Sequence, residues 1–172
     1  MKLTNQNQKG NKMKFNTKIR NLLIILFSTL ALSACSTAKK ASTVGTTGDV
    51  YTGTDTVEYL APGVKDRVFF ATNSSSLTTA SRDTLRKQAD YLRKNKDMNV
   101  VLEGHADERG TREYNLALGE RRANAARDYL MTYGISGKRI SVISYGKERP
   151  VNSASTPLAW SQNRRAVTVK AK

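Results

Sequence analysis

The run from Val100 to Tyr145 constrains this chain most. Val100, Val101 and Leu102 form an apolar strand signal that stops at Gly104. A short loop dense in both charge signs follows, and Thr111 is placed to cap a helix reaching about Tyr133. Leu118, Ala125, Ala126, Tyr129 and Leu130 supply its apolar face, and Gly134 its stop. Ile140 to Tyr145 then alternates as a strand. A strand, a helix and a strand in that order predict a sheet with helices laid against it.

The flanking sequence extends the pattern. Val68 to Phe70 reads as an earlier strand, and Leu77 to Lys94 as a helix with Leu85, Ala89 and Leu92 on one face. Pro157 to Asn163 reads as a short helical turn, and Val167 and Val169 as a last strand. The predicted class is α+β. Its order is β-α-β-α-β-(α)-β, with a mixed four-stranded sheet carrying helices on one face, over residues 64–172.

Residues 1–34 read differently. They hold six basic residues and no acid, and an apolar stretch from Leu22 to Leu32 leads to Ser33, Ala34 and Cys35. That is the layout of a secretory signal peptide, starting at Met1 or at Met13. The eleven residues of that stretch, 22 to 32, are too few to span about 30 Å of hydrocarbon. Leu32-Ser33-Ala34-Cys35 resembles the bacterial lipobox, which makes Cys35 the acylated first residue of the mature chain. Cys35 is the only cysteine, so no intramolecular disulfide forms. Ser36, where an Asp would favour retention at the inner membrane, points to the outer membrane.

Between Cys35 and the domain, residues 35–63 read as a flexible tether. Of the 21 residues at 36–56, 14 are Ser, Thr, Gly or Ala, too little apolar surface to offset the entropy of ordering. To about Pro62 the tether reaches at most roughly 90 Å extended, and typically about 30 Å as a coil.

Charge and histidine content narrow the function classes. Removing the six basic residues of the leader from 29 Lys and Arg leaves 23 against 14 acids, a mature net charge of +9. No aromatic stacking run or recognition-helix pattern accompanies it, so nucleic acid is not the expected partner. His105 is the only histidine, no cofactor motif appears, and zinc normally takes three or four His, Cys or carboxylate ligands. Neither a metal site nor an enzyme is expected.

Charge recognition remains. Asp107, acceptor-only when ionised, suits an ammonium group. Arg122 suits a carboxylate held in a two-pronged fork, and the helix start near Thr111 adds free N–H groups. A ligand with an amine and a carboxylate on one carbon fits all three. The same spacing also fits an internal ion-pair network of Asp107, Arg109, Glu120 and Arg121. Arg122 lies about 16 Å along the helix from Thr111, so a shared pocket requires the Asp107 loop to fold back over the helix.

GHADERGTREYNLALGERRANAA at 104–126, ISYGKERP at 143–150 and SQNRRAVTV at 161–169 resemble the peptidoglycan-associated lipoproteins of the OmpA-like C-terminal domain family. The resemblance implies a non-enzymatic module that grips the meso-diaminopimelate stem peptide of peptidoglycan without a covalent bond. It assigns ligand contacts to Asp107 and Arg122, with Arg109, Leu118, Thr72 and Asn73 beside them. It implies an outer-membrane, periplasm-facing lipoprotein of the Tol-Pal envelope system, serving envelope integrity and constriction at division. The β-propeller protein TolB and other Tol components are the implied partners. The family often carries an acid where this chain has Asn73, in FATNSS. The pair Arg164 and Arg165 reads as structural or wall-facing charge. A different class of function, an envelope protein–protein module with incidental wall contact, fits the same residues.

Overall fold

In a computed structural model, residues 49–54 and 56–172 are described. The leader, Cys35 and the first part of the tether lie outside them. The expected strand–helix–strand unit is present: β4 (Val100–His105), α2 (Arg112–Thr132) and β5 (Ile140–Gly146). β4 and β5 are parallel, with Val100 opposite Ile140 and Leu102 opposite Val142. Parallel neighbours need a long crossover, which α2 provides. β6 (Arg165–Lys170) lies antiparallel to β4 on one side and to β3 (Arg67–Phe69) on the other. The order β3-β6-β4-β5 makes the sheet mixed and four-stranded.

α1 (Thr79–Lys94) packs beside α2 on one face of this sheet. It starts two residues later than periodicity suggests, because the Thr78 hydroxyl accepts the Ser81 N–H at 3.1 Å and so caps it. Leu85, Ala89 and Leu92 all point into the core against Phe70, Leu102 and Leu130. Two polar side chains are buried with them and both are satisfied: Ser81 Oγ donates to Phe69 O at 3.1 Å, and Gln88 is held on both sides. Its Nε2 donates to Lys65 O at 2.8 Å and its Oε1 accepts from Thr168 Oγ1 at 2.7 Å. At the far end of α1, Arg139 donates to the carbonyls of Leu92, Asn95 and Met98.

α2 differs from its predicted apolar stripe. Thr111 caps it as expected and Gly134 ends it at φ +82°, but its buried face includes Asn115, Gly119 and Arg122. The glycine lets helix and sheet touch: a Cβ on Gly104 of β4 would sit 1.8 Å from Gly119 O. Backbone packed this closely fixes the height of α2 over the end of β4.

Residues 49–54 and 56–63 also depart from the expected tether. β1 (Tyr59–Ala61) and β2 (Val64–Lys65) form a small hairpin around Pro62 and Gly63, with Gly63 at φ +74°. A Pro-Gly pair at the centre of a turn supplies that geometry. Leu60, Val50 and Tyr51 are buried, Tyr51 edge-on to Phe69 with ring centroids 4.8 Å apart. Isolated apolar residues in a polar run have thus found partners on the sheet. Among the described residues, no helix is long and apolar enough to cross a membrane.

Candidate functional site

Three connections meet at one end of the sheet: the segment after β3, the loop after β4, and the residue leading into β6. Arg122 ties them from beneath. It is fully buried, and its Nε, Nη1 and Nη2 donate to Ser74 O, His105 O and Ala71 O at 2.8–3.0 Å. Its guanidinium also lies 5.4 Å from the Phe70 ring. The end of β4 thus lies against the middle of α2, and Asp107, two residues beyond His105, is near enough for its charge to act on Arg122. Burial, then the Arg164 charge, pushes the Arg122 pKa down to about 10, with Asp107 pulling the other way. It remains a cation at neutral pH. The free structure therefore uses this fork on backbone carbonyls, beneath the site, rather than presenting it to a ligand.

Asp107 sits above it, nearly buried, with both oxygens engaged. Oδ1 accepts the backbone N–H and Nε of Arg109 at 3.1 and 3.0 Å; Oδ2 accepts Nη2 of Arg109 at 2.7 Å and Nη1 of Arg164 at 3.3 Å. Burial alone would raise its pKa. The bonds and charge of Arg109, with the Arg164 bond, outweigh that and hold the carboxyl below its ordinary value. An ion-pair network exists, but Arg164 completes it in place of Glu120 and Arg121.

Arg109 is half-exposed and held on two further sides. Its guanidinium stacks 4.3 Å from the Trp160 ring of α3 (Pro157–Asn163), and Nη2 donates to Thr72 Oγ1 at 3.3 Å. Trp160 Nε1 donates to Glu108 Oε1 at 2.8 Å, and Lys147 Nζ to Gly110 O at 2.7 Å, which pins the loop. Thr72 faces the cluster. Asn73 is exposed in the left-handed region at φ +52°, a conformation Asn tolerates. Leu118 is buried on α2 and offers no open surface.

Sequence reasoning missed two members. Arg164 is buried between Asp107 and a second carboxylate, that of Asp49, whose Oδ2 lies 3.1 Å from Arg164 Nη2. Asp49 Oδ1 and Oδ2 also accept the Thr72 N–H, each at 3.2 Å. Adjacent arginines before a strand do signal that one turns to each face. Nothing in the composition of the tether marks Asp49.

The chemistry offered is recognition of charge, not bond cleavage. Three guanidiniums and two carboxylates converge, which gives the cluster a surplus positive charge. Among the described residues, no group of three or more His, Cys, Asp and Glu is arranged to hold a metal ion. His105 is buried on the other face of the sheet, 5.5 Å from the Tyr145 ring. Burial first, then the charges of Arg165, Arg67 and Arg149, push its pKa down to about 3. Glu103 Oε2, 3.7 Å from His105 Nε2, does not reverse this.

The unfolded chain protonates His105 near pH 6.5 and the folded one only near 3. Its contribution is complete above 6.5 and is lost as pH falls between those values, at a slope approaching about 1.4 kcal/mol per pH unit. Urea unfolding should show His105→Gln losing this part of the acid slope; identical slopes in both chains would contradict it.

Comparison with known proteins agrees with this architecture. Residues 69–164 match the OmpA family. A peptidoglycan-associated lipoprotein of Mesorhizobium japonicum is 46% identical over 150 residues, covering 86% of this chain and 89% of the relative. The crystal structure of the peptidoglycan-associated lipoprotein from Burkholderia pseudomallei superposes with a TM-score of 0.62 at 38% identity, over 65% of this chain and 95% of that one. The C-terminal domain of Helicobacter pylori MotB, at 19% identity and a TM-score of 0.58 over 62% of this chain and 84% of that one, shares the fold. This chain belongs to the OmpA family, among its peptidoglycan-associated lipoproteins.

Proposed function

We propose that this protein is an outer-membrane lipoprotein, acylated at Cys35, whose domain grips peptidoglycan non-covalently through the diaminopimelate of its stem peptides. The observation that carries this reading is the pairing of Asp107 with a carboxylate receptor. Arg164 holds Asp107 with one nitrogen and the Asp49 carboxylate with another, and Thr72 backs the second position. A zwitterionic carbon, with its amine toward Asp107 and its carboxylate toward Thr72 and Arg164, matches that spacing. Arg109 closes over it from the Trp160 side, and Arg122 positions the loops and adds positive charge from below. Asn73 and Leu118 are the weakest members of the set. The names of the relatives supply the polymer.

Mechanically, acyl chains hold the membrane, the tether spans, and the domain holds the wall. Individually weak grips suffice because many copies act along one polymer. By family analogy the same end of the domain engages TolB and the wider Tol-Pal system. Asp107→Asn keeps the shape and removes the charge. Its binding to purified sacculi in a sedimentation assay should fall about 10- to 100-fold, the equivalent of one charge-assisted bond, with an unchanged circular dichroism spectrum. Wild-type sedimentation by that variant would reject the assignment. Capture of a protein partner that survives wall digestion, without any wall binding, would favour an interaction module instead.

A further inference from the structure

Asp49 is held as a ligand is held. Both of its carboxylate oxygens accept the Thr72 N–H, Oδ2 also accepts the Thr72 hydroxyl, and Arg164 Nη2 lies 3.1 Å from it and donates to the Asp49 carbonyl as well. The next two residues anchor this head: Val50 and Tyr51 are buried against Phe69. Asp49 thus lies across Arg164 from Asp107, where an incoming carboxylate would lie.

The docked segment also carries features that favour release. Asp49 is in the left-handed region at φ +44°. The Tyr51 hydroxyl is buried with no hydrogen-bond partner, an arrangement that water would relieve. Its attachment to the domain is therefore specific but incomplete. Burial raises the Asp49 pKa, and the Thr72 bonds with the Arg164 and Arg109 charges bring it below its ordinary value, so it is an anion throughout the neutral range.

We infer that Asp49 is an internal competitor for the carboxylate subsite formed by Thr72 and Arg164, so that docking of residues 49–51 and binding of a stem peptide exclude one another. This rests on the wall-binding reading above. Its consequence is a tether that lengthens on engagement: release of residues 49–51 adds about 10 Å of extended chain. The free protein stays short with its site closed, and the apparent affinity is reduced by the fraction of chains in which the segment is docked.

The test uses the full chain and a diaminopimelate-containing stem peptide, with the Val50 methyl resonances reporting docking and the Thr72 and Arg109 amides reporting the site. In the wild type, saturation with peptide should move the Val50 methyls to unfolded-chain positions. Asp49→Ala removes the competing head and Tyr51→Ala removes its anchor without touching the subsite; each should tighten peptide binding by about 3- to 10-fold. Peptide binding with the Val50 methyls still docked overturns the inference. So does tightening in Asp49→Ala alone, which would mark a charge effect rather than a docked competitor. Absence of any amide shift in all three chains overturns both this inference and the wall-binding reading, and is thereby distinguished from failure of the competitor alone.

Discussion

Arg122→Ala should lower the melting temperature of the domain by about 10–20 °C, and Arg122→Lys should not restore it. The guanidinium meets three backbone carbonyls, two in the segment after β3 and one at the end of β4. Its removal takes the side-chain donor from Ser74 O and His105 O and leaves Ala71 O with only the Ser74 N–H, at about 1–3 kcal/mol for each carbonyl left unsatisfied, against a total stability of about 5–15 kcal/mol for a domain of ordinary size. A lysine carries three donors on a point-like head and cannot span the same three directions. Thermal unfolding followed by circular dichroism measures this. The sequence alone suggested a ligand-facing fork, whose loss would weaken binding and leave the fold intact. If Arg122→Ala melts within a few degrees of wild type and fails only to bind, that simpler role is restored.

Gly104→Ala should be as damaging by a different route. The new methyl would stand 1.8 Å from Gly119 O and 2.4 Å from its carbonyl carbon, and both are backbone atoms of a packed helix. Relief requires α2 to lift from β4, which separates Arg122 from His105 O and opens the core near Leu102. Overpacking of this kind costs about 1–3 kcal/mol even where side chains can adjust; here none can. The expected result is insoluble expression or a melting temperature lowered by more than about 10 °C. Gly137→Ala is the matched control, since its methyl would meet only the flexible end of Met131, at 3.3 Å. Similar melting of both variants would show that the close approach is not a constraint.

Much of this was legible in the residues because the signals were local. Leu85, Ala89 and Leu92 marked one helix face, Thr111 and Gly134 bounded the other helix, and the apolar strands announced themselves. The hairpin at residues 59–65 had a signal too, Pro62-Gly63 between residues able to form strands, but the Ser/Thr/Gly content of the preceding segment masked it. Depth was not legible. Whether an arginine ends in water, as charge on a surface, or beneath three carbonyls, as Arg122 and Arg139 do, depends on which backbone groups the tertiary fold leaves unpaired. For the same reason Arg164 looked peripheral and became the bridge between two carboxylates. Asp49 lies 115 residues from Arg164 in sequence, and no local pattern encodes that meeting.

The site assignment is tested most directly by comparing two stem peptides that differ in one group. A diaminopimelate peptide carries a zwitterionic carbon at the end of its side chain, and its lysine counterpart lacks that carboxylate. In a titration followed by NMR, the diaminopimelate peptide should shift the amides of Thr72, Asp107, Arg109 and Arg164 saturably, and the lysine peptide should bind at least about 10-fold more weakly, the loss of one charge-assisted contact. Equal affinity for the two peptides, or shifts confined to the opposite face of the sheet around His105 and Arg149, would contradict it.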